Sequence, residues 1–178
     1  DDMIQTGKRH DFYNTYDIGF DDNGLLQGAD IMVAGRCGFS PDLSDAIVDR
    51  AMFHADNAYY LDQARVTGHR CKTHTVSNTA FRGFGGPQGM MIIERAMDDI
   101  ARHIGADPLD VRKRNLYRPG RDQTHYGQTV EQHVLAELID SLETSSDYRE
   151  RRTAITAFNR RSPVIKKGIA LTPVKFGI

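Results

Sequence analysis

The stretch Ser77-Asn78-Thr79-Ala80-Phe81-Arg82-Gly83-Phe84-Gly85-Gly86-Pro87-Gln88-Gly89 places the tightest constraint on the fold. Glycines and a proline surround two aromatics and an arginine, and an amphipathic helix follows at once. Glycine lets backbone approach a ligand or adopt positive φ, and Pro87 suits a first helical turn, where its missing N–H costs nothing. The free N–H groups and positive dipole end of such a helix favour an anion or an electron-rich group. Phe81 and Phe84 make sense where something flat must be held. The same punctuation also serves as a plain strand-to-helix connection. No Gly-Lys-Ser/Thr follows, so this is not a Walker loop. The third glycine of a dinucleotide fingerprint is also missing.

With 178 residues, the chain has room for one ordinary domain or two small ones. Apolar content of 39% and charged content of 26% fit a globular protein. A net charge of −1 gives no reason to expect nucleic acid or an anionic membrane as partner. No apolar run approaches a membrane span and no signal peptide is visible. Cys37 and Cys71 make neither a disulfide framework nor a CxxC site, so a reducing cytoplasm is the expected setting. Asp1-Asp2-Met3 runs straight towards a strand-like segment, and Val174 to Ile178 stops inside an alternating pattern. Both ends read as cut, as in a fragment of a longer polypeptide.

Residues 12–20 are rich in aromatic and β-branched types, Asp22-Asn23-Gly24 signals a hairpin, and residues 25–34 return as a second strand before a loop over 35–40. Pro41-Asp42-Leu43 opens a helix to about Asp56, and residues 59–65 read as a short strand. Residues 67–86 read mostly as loop. Beyond Pro87, Met90, Ile93, Met97, Ile100 and Ile104 repeat at 3.6 residues on one face, and Gly105 fits the stop. Asp107-Pro108 restarts a helix as N-cap and first residue, with Leu109 and Leu116 inward. Residues 130–142 are predicted helical with Val134, Leu135, Leu138 and Leu142 inward; 147–160 form another helix anchored by Ile155 and Phe158; 166–178 return as strand. The expected fold is α+β, a small mixed or antiparallel sheet with helices on one face. Residues 1–76 would form a ββαβ portion, 77–89 the site loop, and 90–178 a helical portion with a returning strand, all within one subdomain.

Arg50 falls in an apolar arc of its helix with Leu43, Ile47 and His54, so it needs a carboxylate, carbonyls or a ligand. A snorkelling side chain or a structural ion pair is the alternative. Its fork suits planar oxygen-bearing ligands. Arg82, between two candidate ring platforms, is otherwise a loop brace donating to carbonyls. His69, Cys71 and His74 match no structural zinc spacing. Cys71, beside Arg70 and Lys72, reads as a buried inert thiol, with a lowered pKa as the alternative. No carboxylate pair is arranged for acid–base work and no Ser-His-Asp order stands out. The residues alone describe a binding half-site without base or nucleophile, leaving enzyme fragment and binding module level.

Ser77 to Gln88 closely resembles the signature of the molybdenum-binding large subunit or domain of the xanthine dehydrogenase/aldehyde oxidase family. The resemblance spans nearly the whole chain. Asp42-Leu43-Ser44 through Arg50 to Asn57 is similar to the family's preceding helix, and Thr67-Gly68 and Cys71-Lys72-Thr73 to its approach to the loop. Arg112 to Tyr117 is similar to its R-x-x-N-x-Y region, and Pro173 to Ile178 to its next core strand. The resemblance implies a part of a larger molybdopterin-binding domain. Such enzymes convert hypoxanthine and xanthine to urate with water as the oxygen source, at a molybdenum centre carried on a pterin. Electrons then pass through two 2Fe–2S clusters to FAD and NAD, which sit elsewhere in the complete enzyme.

By the same resemblance, Arg50 pairs with a purine oxygen and stabilises charge gathering on the ring, and Phe84 stacks on the purine. Arg82, with its backbone against the molybdenum centre, contacts the cofactor together with Gly83 and Phe81. Arg50 favours purine over the aldehydes of the related oxidases. The family's catalytic base, a glutamate, lies near the far C-terminus of the subunit, so none is expected in this chain. A second substrate glutamate and a glutamine at the molybdenum lie upstream of Asp1, and a second stacking phenylalanine with a threonine lies beyond Ile178. The implied partners are purine substrate, the remaining molybdenum-subunit segments, an iron–sulfur/FAD subunit or domain, and NAD; neither nucleic acid nor membrane is among them. The fragment alone would be inactive.

Overall fold

The computed structural model describes residues 2–177. The elements run α1 (Asp2–Gln5), β1 (Phe12–Phe20), β2 (Leu26–Gly38), α2 (Ser44–Phe53), β3 (Ala64–Lys72), α3 (Gly86–Ile104), α4 (Pro108–Asn115), α5 (Leu135–Ser145) and α6 (Tyr148–Arg161). The three strands form one open mixed sheet in the order β1-β2-β3. β1 and β2 are an antiparallel hairpin, with Phe12 opposite Gly35 and Phe20 opposite Leu26. Gly24 at φ 77° turns the hairpin, as the Asp-Asn-Gly signal requires. β3 runs parallel to β2, with Ile31 opposite Val66 and Ala34 opposite His69.

Period-2 alternation decides which side of the sheet is covered. In β2, Ala29, Ile31, Val33, Gly35 and Cys37 are buried while the residues between them are half-buried or exposed. β1 sends Phe12, Tyr16, Ile18 and Phe20 to the same core. The core is completed by α2 through Val48 and Ala51, by α3 through Ile92, Ile93, Ala96, Met97 and Ile100, and by α4 through Leu109 and Val111. α2 and α3 lie in close contact because glycine stands at the crossing. A Cβ on Gly85 would overlap the carbonyl oxygen of Ile47, and one on Gly89 that of Ala51. α3 ends on Gly105 at φ 68°, and Asp107 accepts from the Leu109 N–H at 2.8 Å to cap α4.

Several elements depart from expectation. β2 continues to Gly38 through the stretch read as loop, and the third strand lies at Ala64–Lys72, not 59–65. Asn57 at φ 44° turns the chain out of α2, and Tyr59 makes only an isolated bridge to Leu116. β3 displays charged residues on the sheet edge, so it lacks apolar alternation. The helix expected over 41–56 is only Ser44–Phe53, and the N-terminal segment opens with the short α1.

The helix expected over 130–142 begins at Leu135 and reaches Ser145; Leu135 and Ile139 face inward, but Val134, Leu138 and Leu142 are about half exposed. Two apolar stripes run along this helix and only one meets the core. Residues 166–177 form no strand, since no other strand of the described residues pairs with them, and two of their N–H groups go to side chains. Lys167 N–H donates to Asn159 Oδ1 at 2.8 Å, and Lys175 N–H to Asn57 Oδ1 at 3.1 Å. Ile178, the last residue of that expected strand, lies outside the described residues. Cys71 is exposed rather than buried, since it sits on the open edge strand.

Candidate functional site

The glycine loop leaves β3, crosses beneath the end of α2 and enters α3. Two interlocked turns shape it: Phe84 N–H donates to the Phe81 carbonyl at 2.8 Å and Gly86 N–H to that of Gly83 at 2.9 Å. Gly83 at φ 92° and Gly85 at φ 94° take the left-handed backbone this needs, and Phe84 is forced into it at φ 48°. A large side chain there costs about 1–2 kcal/mol. Such strain persists where surrounding structure over-determines it, and it gathers at sites of function.

The turn aims the Phe84 ring at α2. The Arg50 guanidinium carbon lies 5.9 Å from the Phe84 ring centroid and 5.7 Å from that of Phe176. Arg50 and Phe84, 34 positions apart in the chain, therefore face one hollow. No carboxylate among the described residues pairs with Arg50, which is half-buried. The structural ion pair that sequence left open is absent there. Contrast Arg112, 3% exposed and clamped by Glu94 and Asp98 at 2.8 and 2.9 Å. Arg112 is a structural cation; Arg50 is a cation beside two rings, and its donors have no partner among the described residues.

Beneath this pair, His54 is buried, and its Nδ1 donates to the Arg50 carbonyl at 3.0 Å. Its Nε2 finds no partner. Burial holds the imidazole pKa below its ordinary value, so this ring is neutral at pH 7. It packs against Phe176 at 5.0 Å between centroids. Gly86 makes room for that ring, because a Cβ there would come within 2.8 Å of Phe176 Cε2.

Phe176, His54, Asn57 and Lys175 are the site residues that sequence reading did not single out. Asn57 Nδ2 donates to the Pro173 carbonyl at 2.9 Å and to Glu94 Oε1 at 2.8 Å. Lys175 pairs at 3.1 Å with Asp56, which is fully buried and also accepts from the Tyr117 hydroxyl at 2.5 Å. These bonds pin the 173–176 segment so that Phe176 closes a third side of the hollow. The trace of this in sequence is three polar residues, His54, Asp56 and Asn57, just past the end of α2.

Arg82 is exposed, and its carbonyl accepts from Arg9 at 2.6 Å; it is braced by another arginine rather than acting as the donor brace. Phe81 is 58% exposed, with the Arg9 guanidinium 4.4 Å from its ring centroid. The N–H groups of Arg82 and Gly83 find no acceptor among the described residues. α3 starts without a side-chain cap. Among the described residues no three His, Cys, Asp or Glu side chains group to hold a metal ion, so His69, Cys71 and His74 make no metal site there. Arg50 and Phe84 line neither the cavity of about 640 Å³ around Thr124, Tyr126 and Lys175 nor that of about 340 Å³ beside Phe176.

Arg50, Phe84 and Phe176 thus gather beside a glycine loop that enters α3 without a side-chain cap. The chain belongs to the family of molybdopterin cofactor-binding domains, whose model matches residues 1–116. Over all 178 residues it is 46% identical to the xanthine dehydrogenase of Drosophila subobscura and 44% to the xanthine dehydrogenase/oxidase of Gallus gallus. The chain spans 13% of the length of each of these relatives. Among solved structures it is similar to the aldehyde oxidoreductase of Desulfovibrio desulfuricans, with 29% identity, a TM-score of 0.80, and coverage of 88% of this chain and 17% of that one. Quinoline 2-oxidoreductase from Pseudomonas putida 86 shares the fold at 20% identity, with a TM-score of 0.76 over 89% of this chain and 21% of that one.

The residues present fit a molybdenum–pterin group. Unpaired backbone N–H groups at Arg82 and Gly83 suit oxygen or sulfur edges. Gly83 has no space for a side chain, since a Cβ would lie 2.6 Å from Pro87 Cγ.

Proposed function

We propose that the chain is part of a xanthine dehydrogenase that hydroxylates hypoxanthine and xanthine to urate at a molybdenum–pterin centre, with water as the oxygen source. The observation that carries this reading is the unpaired Arg50 guanidinium within 6 Å of both the Phe84 and Phe176 rings. An aldehyde needs no such cation. Hypoxanthine and xanthine carry exocyclic carbonyl oxygens for a guanidinium to engage and a flat face for Phe84 to stack on.

In this proposal Arg82, Gly83 and Phe81 hold the cofactor, the two backbone N–H groups facing its edge. When bound, the cofactor supplies the redox chemistry and the activation of water. Phe84 takes one face of the heterocycle, and its strained backbone fixes the ring angle before substrate arrives. Arg50 donates to a purine oxygen and meets negative charge as it develops on the ring; charge met by a preplaced donor is commonly the largest single catalytic term. His54, bonded to the Arg50 carbonyl and neutral, supports the end of α2 without competing for the same anion. No residue here serves as base; that role falls to the rest of the enzyme, as do closure of the hollow, the iron–sulfur clusters, FAD and the passage of electrons to NAD. Cytoplasmic location belongs to the same proposal, supported by two free cysteines; no described helix is long and apolar enough to cross a membrane.

The test is Arg50→Met in the full-length enzyme. Losing one transition-state donor costs about 10²–10³ in turnover. Xanthine turnover is expected to fall by that factor and aldehyde turnover to change by less than about threefold. Equal losses on both substrates would point to the aldehyde oxidase type. A full-length enzyme without molybdenum and without xanthine turnover would leave a non-catalytic binding module.

A further inference from the structure

Arg9 meets the glycine loop at Phe81 and Arg82, whereas Arg50 meets it at Phe84. The Arg9 guanidinium makes two contacts at once: it lies 4.4 Å from the Phe81 ring centroid, and its NH2 donates to the Arg82 carbonyl at 2.6 Å. Its NH1 is buried and unpaired. The segment carrying it is stitched to the loop. Thr79 N–H donates to the Lys8 carbonyl at 2.9 Å, and a Cβ on Gly7 would come within 2.5 Å of the Ser77 carbonyl oxygen. Arg9 is therefore held by backbone on one side and by a ring face on the other.

A peptide unit is planar and trans, so its carbonyl and the following N–H point in opposite directions. A charge-assisted bond that fixes the Arg82 carbonyl towards Arg9 also turns the Gly83 N–H away from Arg9. That N–H, like those of Ala80, Phe81, Arg82 and Gly85, has no acceptor among the described residues. Gly83, at φ 92° and without a side chain, has few other restraints on this plane. We infer that Arg9 is a positioning residue that orients the Arg82–Gly83 peptide so that its N–H is presented to the cofactor. This rests on the proposed cofactor site. Phe81, placed at the cofactor in that proposal, also serves as the platform for Arg9.

The experiment uses the full-length enzyme and two readouts: molybdenum retained per protomer during prolonged dialysis, and xanthine kcat and KM per bound molybdenum. Arg9→Met should shed molybdenum at least tenfold faster than wild type, the equivalent of one lost charge-assisted bond, with KM for xanthine unchanged. Arg9→Lys keeps a cationic donor and a cation over the ring, and should restore retention to within about threefold of wild type. Phe81→Leu should lie between them, and it decides the matter if Arg9→Met fails to fold. Wild-type retention in both Arg9→Met and Phe81→Leu, or equal losses in Arg9→Met and Arg9→Lys, overturns the inference while leaving the proposed function intact. A wild-type enzyme that holds no molybdenum overturns both.

Discussion

At the scale of the residue, Phe84 shows a conflict settled in favour of the site. Its φ of 48° suits glycine, yet the position carries a ring that faces Arg50 at 5.9 Å. Phe84→Gly in the full-length enzyme should relieve about 1 kcal/mol of backbone strain while giving up the packing of a half-buried ring. Thermal unfolding should then show a Tm within about two degrees of wild type, while the KM for xanthine rises roughly tenfold, as loss of a stacking partner implies. A Tm drop as large as that for a core phenylalanine would mean the ring serves packing instead. Arg50 was legible in sequence because a guanidinium in an apolar arc raises a question by itself. Phe176 was not, since nothing in a terminal stretch of alternating residues says which helix its ring will meet.

At the scale of the element, the α2–α3 crossing sets the distance between Arg50 and Phe84. Gly85 and Gly89 let the backbones touch at Ile47 and Ala51. Gly89 lies inside a helix, where glycine costs up to about 1 kcal/mol against alanine, so Gly89→Ala would stabilise an isolated helix. Here it should destabilise the protein by about 3 kcal/mol, because the new methyl meets a fixed carbonyl rather than a movable side chain. It should also lower xanthine turnover by pushing Arg50 off its register. A stabilising Gly89→Ala, measured by denaturant unfolding, would show that the helices are free to separate. The period and both ends of α3 were readable from apolar spacing, Pro87 and Gly105. β3 was not, because an edge strand facing solvent with His69, Arg70 and Lys72 carries no alternation and is held by its pairing with β2. The strand expected over 166–178 failed for the converse reason: alternation was present, but among the described residues no strand pairs with it.

At the scale of the whole molecule, three histidines lie in the packed interior: His10 against Ser44 at 2.7 Å, His54 below Arg50, and His125 donating to the Met52 carbonyl at 2.9 Å. Burial holds the pKa of each below the ordinary histidine value. The unfolded chain therefore binds more protons than the folded one as pH falls below about 6.5. Their contribution to stability is complete above that pH and is lost progressively below it. Tm should fall between pH 6.5 and 5, and His125→Gln should show a shallower fall. Asp99 acts in a lower window: the Tyr16 hydroxyl and then Arg102 hold its carboxyl at about 2, so its contribution is lost only as pH drops from 3.8 through that value. A Tm flat from pH 7 to 5 would contradict the histidine assignment.

What the sequence determined by itself was chemistry that is local in the chain: a glycine loop with two rings and an arginine, a helix with its start and stop, a hairpin with its turn, and an arginine out of place among apolar neighbours. Each rests on interactions within a few residues, where propensity and periodicity act directly. Tertiary structure alone decided that Arg50 and Phe84 share a hollow, that Asn57 and Asp56 draw a distant segment across to bring Phe176 beside them, and that Arg9 reaches 73 positions along the chain to the Arg82 carbonyl. These contacts depend on how closely two helices cross and on where buried polar groups find partners, and neither is written in any single segment.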